Sequence, residues 1–117
     1  MSQTLRAASK QAAVPPVNIY EGSGQLSIVL PIPGSHPDHV EVVLEPSLLR
    51  VNAECKYAQE QQRYRRHEWQ VGSWKVDVPL PSAVDPSRAR AVLEYGVLVV
   101  MAPMSESAAG SQRLTVR

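Results

Sequence analysis

Ala91-Val92-Leu93-Glu94-Tyr95-Gly96-Val97-Leu98 decides how the 117-residue chain is read, because it has the form of two strands meeting at a tight reversal. Before the reversal Ala89, Ala91 and Leu93 alternate with Arg90, Val92 and Glu94, the period of a strand with one face buried. Tyr95-Gly96 is the turn, since glycine reaches the positive φ that most residues avoid. Beyond it Val97 to Ala102 is a continuous apolar run stopped by Pro103, which predicts a strand buried on both faces.

Working outward, short alternating runs recur between turn signals. Val17 to Tyr20 is a short strand closed by Glu21-Gly22-Ser23-Gly24, and Gln25 to Pro31 sets Leu26, Ile28 and Leu30 on one side. A loop of Pro, Gly, Ser and Asp leads to His39 to Glu45, with Val40, Val42 and Leu44 on one face. Pro46-Ser47 turns the chain into a return strand, Leu48 to Ala53. Trp74 to Leu80 alternates again, with Trp74, Val76 and Val78 together. Turn signals every ~8 to 12 residues predict an all-β sandwich, and no helix of ordinary length fits.

Composition narrows the class. The length suits one domain with a modest core, and with 5% aromatics and no Phe that core is aliphatic. A net charge of +1 gives no bulk attraction to nucleic acid or anionic lipid. A single cysteine, Cys55, excludes an internal disulfide and fits a reducing compartment. Met1 to Lys10 lacks a signal-like apolar core, and no run approaches the ~18 apolar residues of a membrane span, so a soluble, cytoplasmic protein is expected.

Two segments break the pattern. Glu54 to Gln70 is dense in Lys, Arg, Glu and Gln, and within it Arg63 to Trp69 reads either as a polar strand that finds its partner elsewhere or as a solvated charged loop. Met104 to Gln112 is rich in Ser, Ala and Gly, the composition of a flexible tail, and ends in Leu114-Thr115-Val116.

Taken in order, these pieces resemble the alpha-crystallin domain of small heat-shock proteins. Ala91, Gly96, Val97 and Leu98 match its Ala, three residues, variable residue, Gly-Val-Leu signature. Leu30-Pro31-Ile32-Pro33-Gly34 resembles the family's Leu-Pro-Gly with Ile32 and Pro33 inserted or substituted, and Val78-Pro79-Leu80-Pro81 before Val84-Asp85-Pro86 resembles its Leu-Pro loop. The resemblance implies an immunoglobulin-like β-sandwich of two antiparallel sheets over residues 17–103, with a short flexible arm at 1–16 and a flexible tail at 104–117.

It implies partners as well. Tyr64, Arg65, Arg66, His67 and Glu68 resemble the charged dimerisation strand, which would pair with the Val17 and Ile19 strand of a second subunit. Leu114 and Val116 match the family's tail motif, and would dock in a neighbour's groove between His39–Glu45 and Arg88–Glu94, lined by Val40, Val42, Leu44, Ala91, Val92 and Leu93. A disordered tail with incidental apolar residues is the other reading. Val76 stands where many members carry a dimer-steadying arginine, and the arm is short for the family. The implied activity is that of an ATP-independent holdase acting on partly unfolded clients and assembling with itself. The alternative is a co-chaperone-like CS-type interaction module on the same sandwich.

Catalysis and cofactors are not expected. There is no Gly-x-x-x-x-Gly-Lys-Ser/Thr loop for phosphates and no hydrolase elbow. His36, Asp38 and His39 with His67-Glu68 are the candidate metal ligands, though histidines in such a loop are more often simply exposed. Cys55 has no activating neighbour beyond Lys56.

Overall fold

Eight strands form in the computed structural model, which describes residues 12–55, 62–69 and 72–117: β1 Asn18–Gly22, β2 Gln25–Pro31, β3 Val40–Glu45, β4 Leu48–Ala53, β5 Trp74–Pro79, β6 Arg90–Glu94, β7 Val97–Pro103 and β8 Gln112–Leu114. They make two four-stranded antiparallel sheets, ordered β1-β2-β7-β6 and β5-β4-β3-β8. Alternation dictates which faces meet. Leu26, Ile28 and Leu30 of β2 and Leu98, Val100 and Ala102 of β7 turn inward against Val42 and Leu44 of β3 and Leu49 and Val51 of β4, all buried. Each such Leu, Ile or Val contributes roughly 1.5–3 kcal/mol of apolar burial.

Turn chemistry sets the registers. Ser23 and Gly24 have φ of 57° and 75°, and Tyr95 and Gly96 have 54° and 77°, as two-residue hairpin turns matched to strand twist require. The second turn leaves Glu94 opposite Val97, so Leu93 pairs with Leu98 and Ala91 with Val100. Gly96 is held closely. Its carbonyl accepts the Ile32 N–H at 2.8 Å, and a Cβ there would lie 3.2 Å from the Pro33 Cα. The Trp74 indole N–H donates to the Pro33 carbonyl at 3.2 Å, tying this corner to the other sheet.

Three strand readings need correction. β7 is fully buried on one face only: Leu98, Val100 and Ala102 are inside, while Val97, Val99 and Met101 are half-exposed on the other face among the described residues. His39 belongs to the short 3-10 turn Pro37–His39, capped by His36 Nδ1 accepting from the Asp38 N–H, and β3 begins one residue later. Arg88 closes a second 3-10 turn, Pro86–Arg88, because Asp85 Oδ1 accepts from the Ser87 N–H at 3.0 Å, and β6 starts at Arg90.

Both ends of the domain carry backbone contacts that composition does not announce. Of the arm, residues 1–11 lie outside the described residues, but Ala13 pairs with the edge of β5: its N–H donates to Ser73 and its carbonyl accepts from Lys75. Beyond β7 the Met104 N–H donates to the Gly24 carbonyl and the Ser105 N–H to the Ala83 carbonyl.

Candidate functional site

The site with a built geometry is the groove between the two sheets on the side where β3 and β6 are the outermost long strands. Without the tail, each would present a row of unpaired backbone groups. The tail covers both. Gln112–Leu114 forms β8 and runs antiparallel to β3, with Leu114 opposite Val42, Arg113 opposite Val43 and Gln112 opposite Leu44. Two residues on it crosses to the other sheet, where Val116 bridges Ala91 in parallel sense. There the Arg117 N–H donates to the Ala91 carbonyl at 3.1 Å and the Leu93 N–H donates to the Arg117 carbonyl at 2.8 Å.

The side chains follow the alternation of an extended segment. Leu114 is 8% exposed and joins the core, Thr115 faces solvent, and Val116 packs against the core from the groove mouth. Arg113 projects outward on the other side of β8, its Nη1 3.0 Å from Glu41 Oε2. Val40, Val42 and Leu44 line the β3 wall from inside. On β6, Ala91 is buried and Leu93 packs on the core, whereas Val92 alternates to the outer face and lines a hollow shared with Gln112 to Thr115. In this single chain the groove holds its own tail, where the resemblance had suggested a neighbour's.

The charged segment sits apart from the groove. Tyr64, Arg65, Arg66 and Glu68 are exposed and His67 is half-buried, and none of residues 62–69 is in a strand; residues 56–61 and 70–71 lie outside the described residues. Local contacts organise it: the Tyr64 and His67 rings stack at 4.3 Å, and Arg66 Nε lies 3.3 Å from Glu68 Oε2. Val17 and Ile19 pack their side chains on the core, and β1 has β2 as its ladder partner on one side, its other edge facing outward. Val76 packs on the core too, so where the arginine was expected there is an apolar contact flanked by exposed Lys75 and by Asp77, which lies 3.9 Å from Arg50.

The candidate metal residues are otherwise engaged. His36 caps a turn, its ring edge-on to His39 at 6.1 Å, and no three of His, Cys, Asp and Glu gather to hold an ion among the described residues. Cys55 is buried with Sγ 3.2 Å from Ser35 Oγ. No helix among the described residues is long and apolar enough to cross a membrane.

Residues 18–117 match one protein family along their length, described as Hsp20/alpha crystallin family. The chain belongs to this family of small heat-shock proteins. Heat shock protein 16 of Schizosaccharomyces pombe is 22% identical over 107 residues, covering 88% of this chain and 75% of that protein. Among solved structures, hspA from Xanthomonas axonopodis is 26% identical with a TM-score of 0.71, covering 86% of this chain and all of that one (100%). A small heat-shock protein from Xylella fastidiosa, described as having a distinct high order structure, is 27% identical with a TM-score of 0.69, covering 92% and 99%.

As in other small heat-shock proteins, a chaperone role rather than catalysis is what the family supports. The family signature has a local physical basis in this chain. Ala91 is a small buried residue at the point where the tail crosses, Gly96 takes the turn that Pro33 crowds, and Leu98 is fully buried. Among the features of this small heat-shock protein that escaped the sequence reading are the Ala13 rung on β5 and the Arg113–Glu41 pair. Only the second left a trace, as opposite charges on two alternating segments whose mutual register was unknown.

Proposed function

We propose that this small heat-shock protein is an ATP-independent holdase that builds assemblies from itself and captures partly unfolded proteins on apolar surface uncovered when its tail leaves the groove. The observation carrying this reading is the seat of Leu114 and Val116 across the edges of β3 and β6. Burying two such side chains contributes roughly 1.5–3 kcal/mol each before association costs. After those costs one tail holds weakly, near the millimolar range of about 4 kcal/mol. A tail tethered to its own groove pays no bimolecular association cost, so neighbouring tails displace it where several together raise the effective concentration.

Dimers arise in this reading through the segment around Tyr64 to Glu68, which adds to the outward edge of β1 of a second subunit, next to Val17 and Ile19. A symmetric exchange closes two edges at once. The high-order structure named for the Xylella fastidiosa relative supports self-association here. The buried Cys55 thiol suits the cytoplasm.

The test is suppression of heat-induced aggregation. The full chain at stoichiometric ratio to several unrelated client proteins, without nucleotide, is expected to abolish most of the light scattering that the clients develop alone. Undiminished scattering with a monomeric chain would replace this reading with the CS-type interaction module.

A further inference from the structure

The tail makes one charged contact beside its apolar ones. Because Arg113 sits opposite Val43 and Leu114 opposite Val42, Glu41 lies one step beyond the last paired rung of β3. The guanidinium reaches it diagonally, a separation that long side chains span across neighbouring strands, and closes to 3.0 Å. Both residues face outward for the same reason that their neighbours face in: Val40, Val42 and Leu44 alternate with Glu41 on β3, and Leu114 alternates with Arg113 on β8. A hollow of about 530 Å³ opens beside them, lined by Asp38 and Glu54 as well as Glu41, together with His39. The wall is acidic where the residue preceding the first apolar side chain of the tail must pass.

The geometry points to a charge filter on the groove: Glu41 makes it select a segment with a basic residue immediately before the apolar-x-apolar pair, and the occupant it fits is Arg113-Leu114-Thr115-Val116 from a second copy of this chain. The inference rests on the reading that the groove receives tails, and adds which tails it receives. Leu114 and Val116 supply the holding. The ion pair is exposed, with side chains 72% and 48% accessible, so it adds little strength. It acts on partner choice instead: a tail with Asp or Glu at that place brings like charge against Glu41, and rejection of the wrong partner needs such a repulsive element. A cell with several chains of this kind would thereby keep their assemblies separate.

The experiment uses the full chain carrying Leu114→Ala and Val116→Ala, which vacates the groove, and two synthetic peptides, Ser111–Arg117 as in the sequence and its R113E version. Binding is followed at low salt by chemical-shift titration of the β3 and β6 amides. The R113E peptide is expected to bind about fivefold more weakly, the scale of one exposed pair, and the difference should shrink above about 0.3 M salt as screening shortens. With Glu41→Lys added to the protein, the order of the two peptides should reverse. Equal binding of both peptides, or an order unchanged by Glu41→Lys, overturns the filter and leaves the groove reading intact. No shift at β3 and β6 with the unaltered peptide overturns both.

Discussion

Changing Leu114 and Val116 together to alanine is expected to take the full chain from a large assembly to dimers, seen as a fall in solution mass by light scattering after size exclusion. Leu114 is 8% exposed within the core and Val116 packs at the groove mouth, so the two truncations remove a large part of the apolar burial of the tail. At about 25 cal/mol per Å², with little cavity left because the tail can lift away, the loss is about 3 kcal/mol. That is about a hundredfold in the docking constant. Since one tail starts near the millimolar range, the variant tail has essentially no occupancy of a neighbour's groove at working concentrations, and its seating in its own groove, set by effective concentration, falls by the same factor. The dimer contact proposed above, around Tyr64 to Glu68 and β1, involves neither residue and should persist. If both chains run as the same small species, the tail does not hold the assembly and the interaction-module reading moves ahead.

Replacing Gly96 by valine is expected to lower the midpoint of thermal unfolding by about 15 °C, on the scale of ~4–8 °C per kcal/mol for a domain this size. Two costs add. With φ at +77° an L-residue pays about 1–2 kcal/mol, and a β-branched one more. The added Cβ would also stand 3.2 Å from the Pro33 Cα, a backbone atom that moves only if the Ile32 N–H to Gly96 carbonyl bond is stretched. Ile32 is fully buried, so this corner cannot relax without opening the core. Gly22→Ala is the control, because nothing lies within 4 Å of a Cβ there and its φ is ordinary. Circular dichroism melts of the two variants decide the matter, and a Gly96→Val midpoint within a few degrees of Gly22→Ala would refute the account.

Much of the sandwich was legible because its determinants are local. Leu26-Ile28-Leu30 and Val40-Val42-Leu44 each announce a buried face by period two, and the Pro46-Ser47 and Tyr95-Gly96 turns announce hairpins, so β1 to β7 fall within a residue or two of their expected places. The errors arise where a neighbour decides. Val97, Val99 and Met101 are as apolar as a doubly buried strand needs, yet among the described residues that side of β7 is only half-buried, and nothing in the run itself reports what lies above it. His39 and Arg88 alternate correctly with the strands that follow them, but His36 and Asp85 cap 3-10 turns that hold those residues out of the ladder.

The site was legible as a motif and not as a geometry. Leu114 and Val116 stand out in a polar tail, but whether they meet β3 or β6 first, in which direction, and in whose groove depends on loop closure over residues 104–111, a stretch whose Ser, Ala and Gly content looks like a flexible linker. The Met104 and Ser105 hydrogen bonds to Gly24 and Ala83 use backbone groups alone, so no side-chain pattern could have revealed them. For the same reason Ala13 looked like part of a loose arm, although its backbone adds a rung to β5.

The bond from the Leu93 N–H to the Arg117 carbonyl gives the protein its own gauge. Leu93 sits on the edge of β6 away from β7, so in the described fold the tail is what shields this proton from water. Its exchange into deuterated solvent therefore proceeds through departures of the tail, and the slowing relative to an open peptide equals the ratio of seated to departed tails when reseating is fast. Read as temperature rises, that one amide would report the release of the tail in the unaltered chain, separately from the melting of Leu98 and Val100 in the adjoining strand.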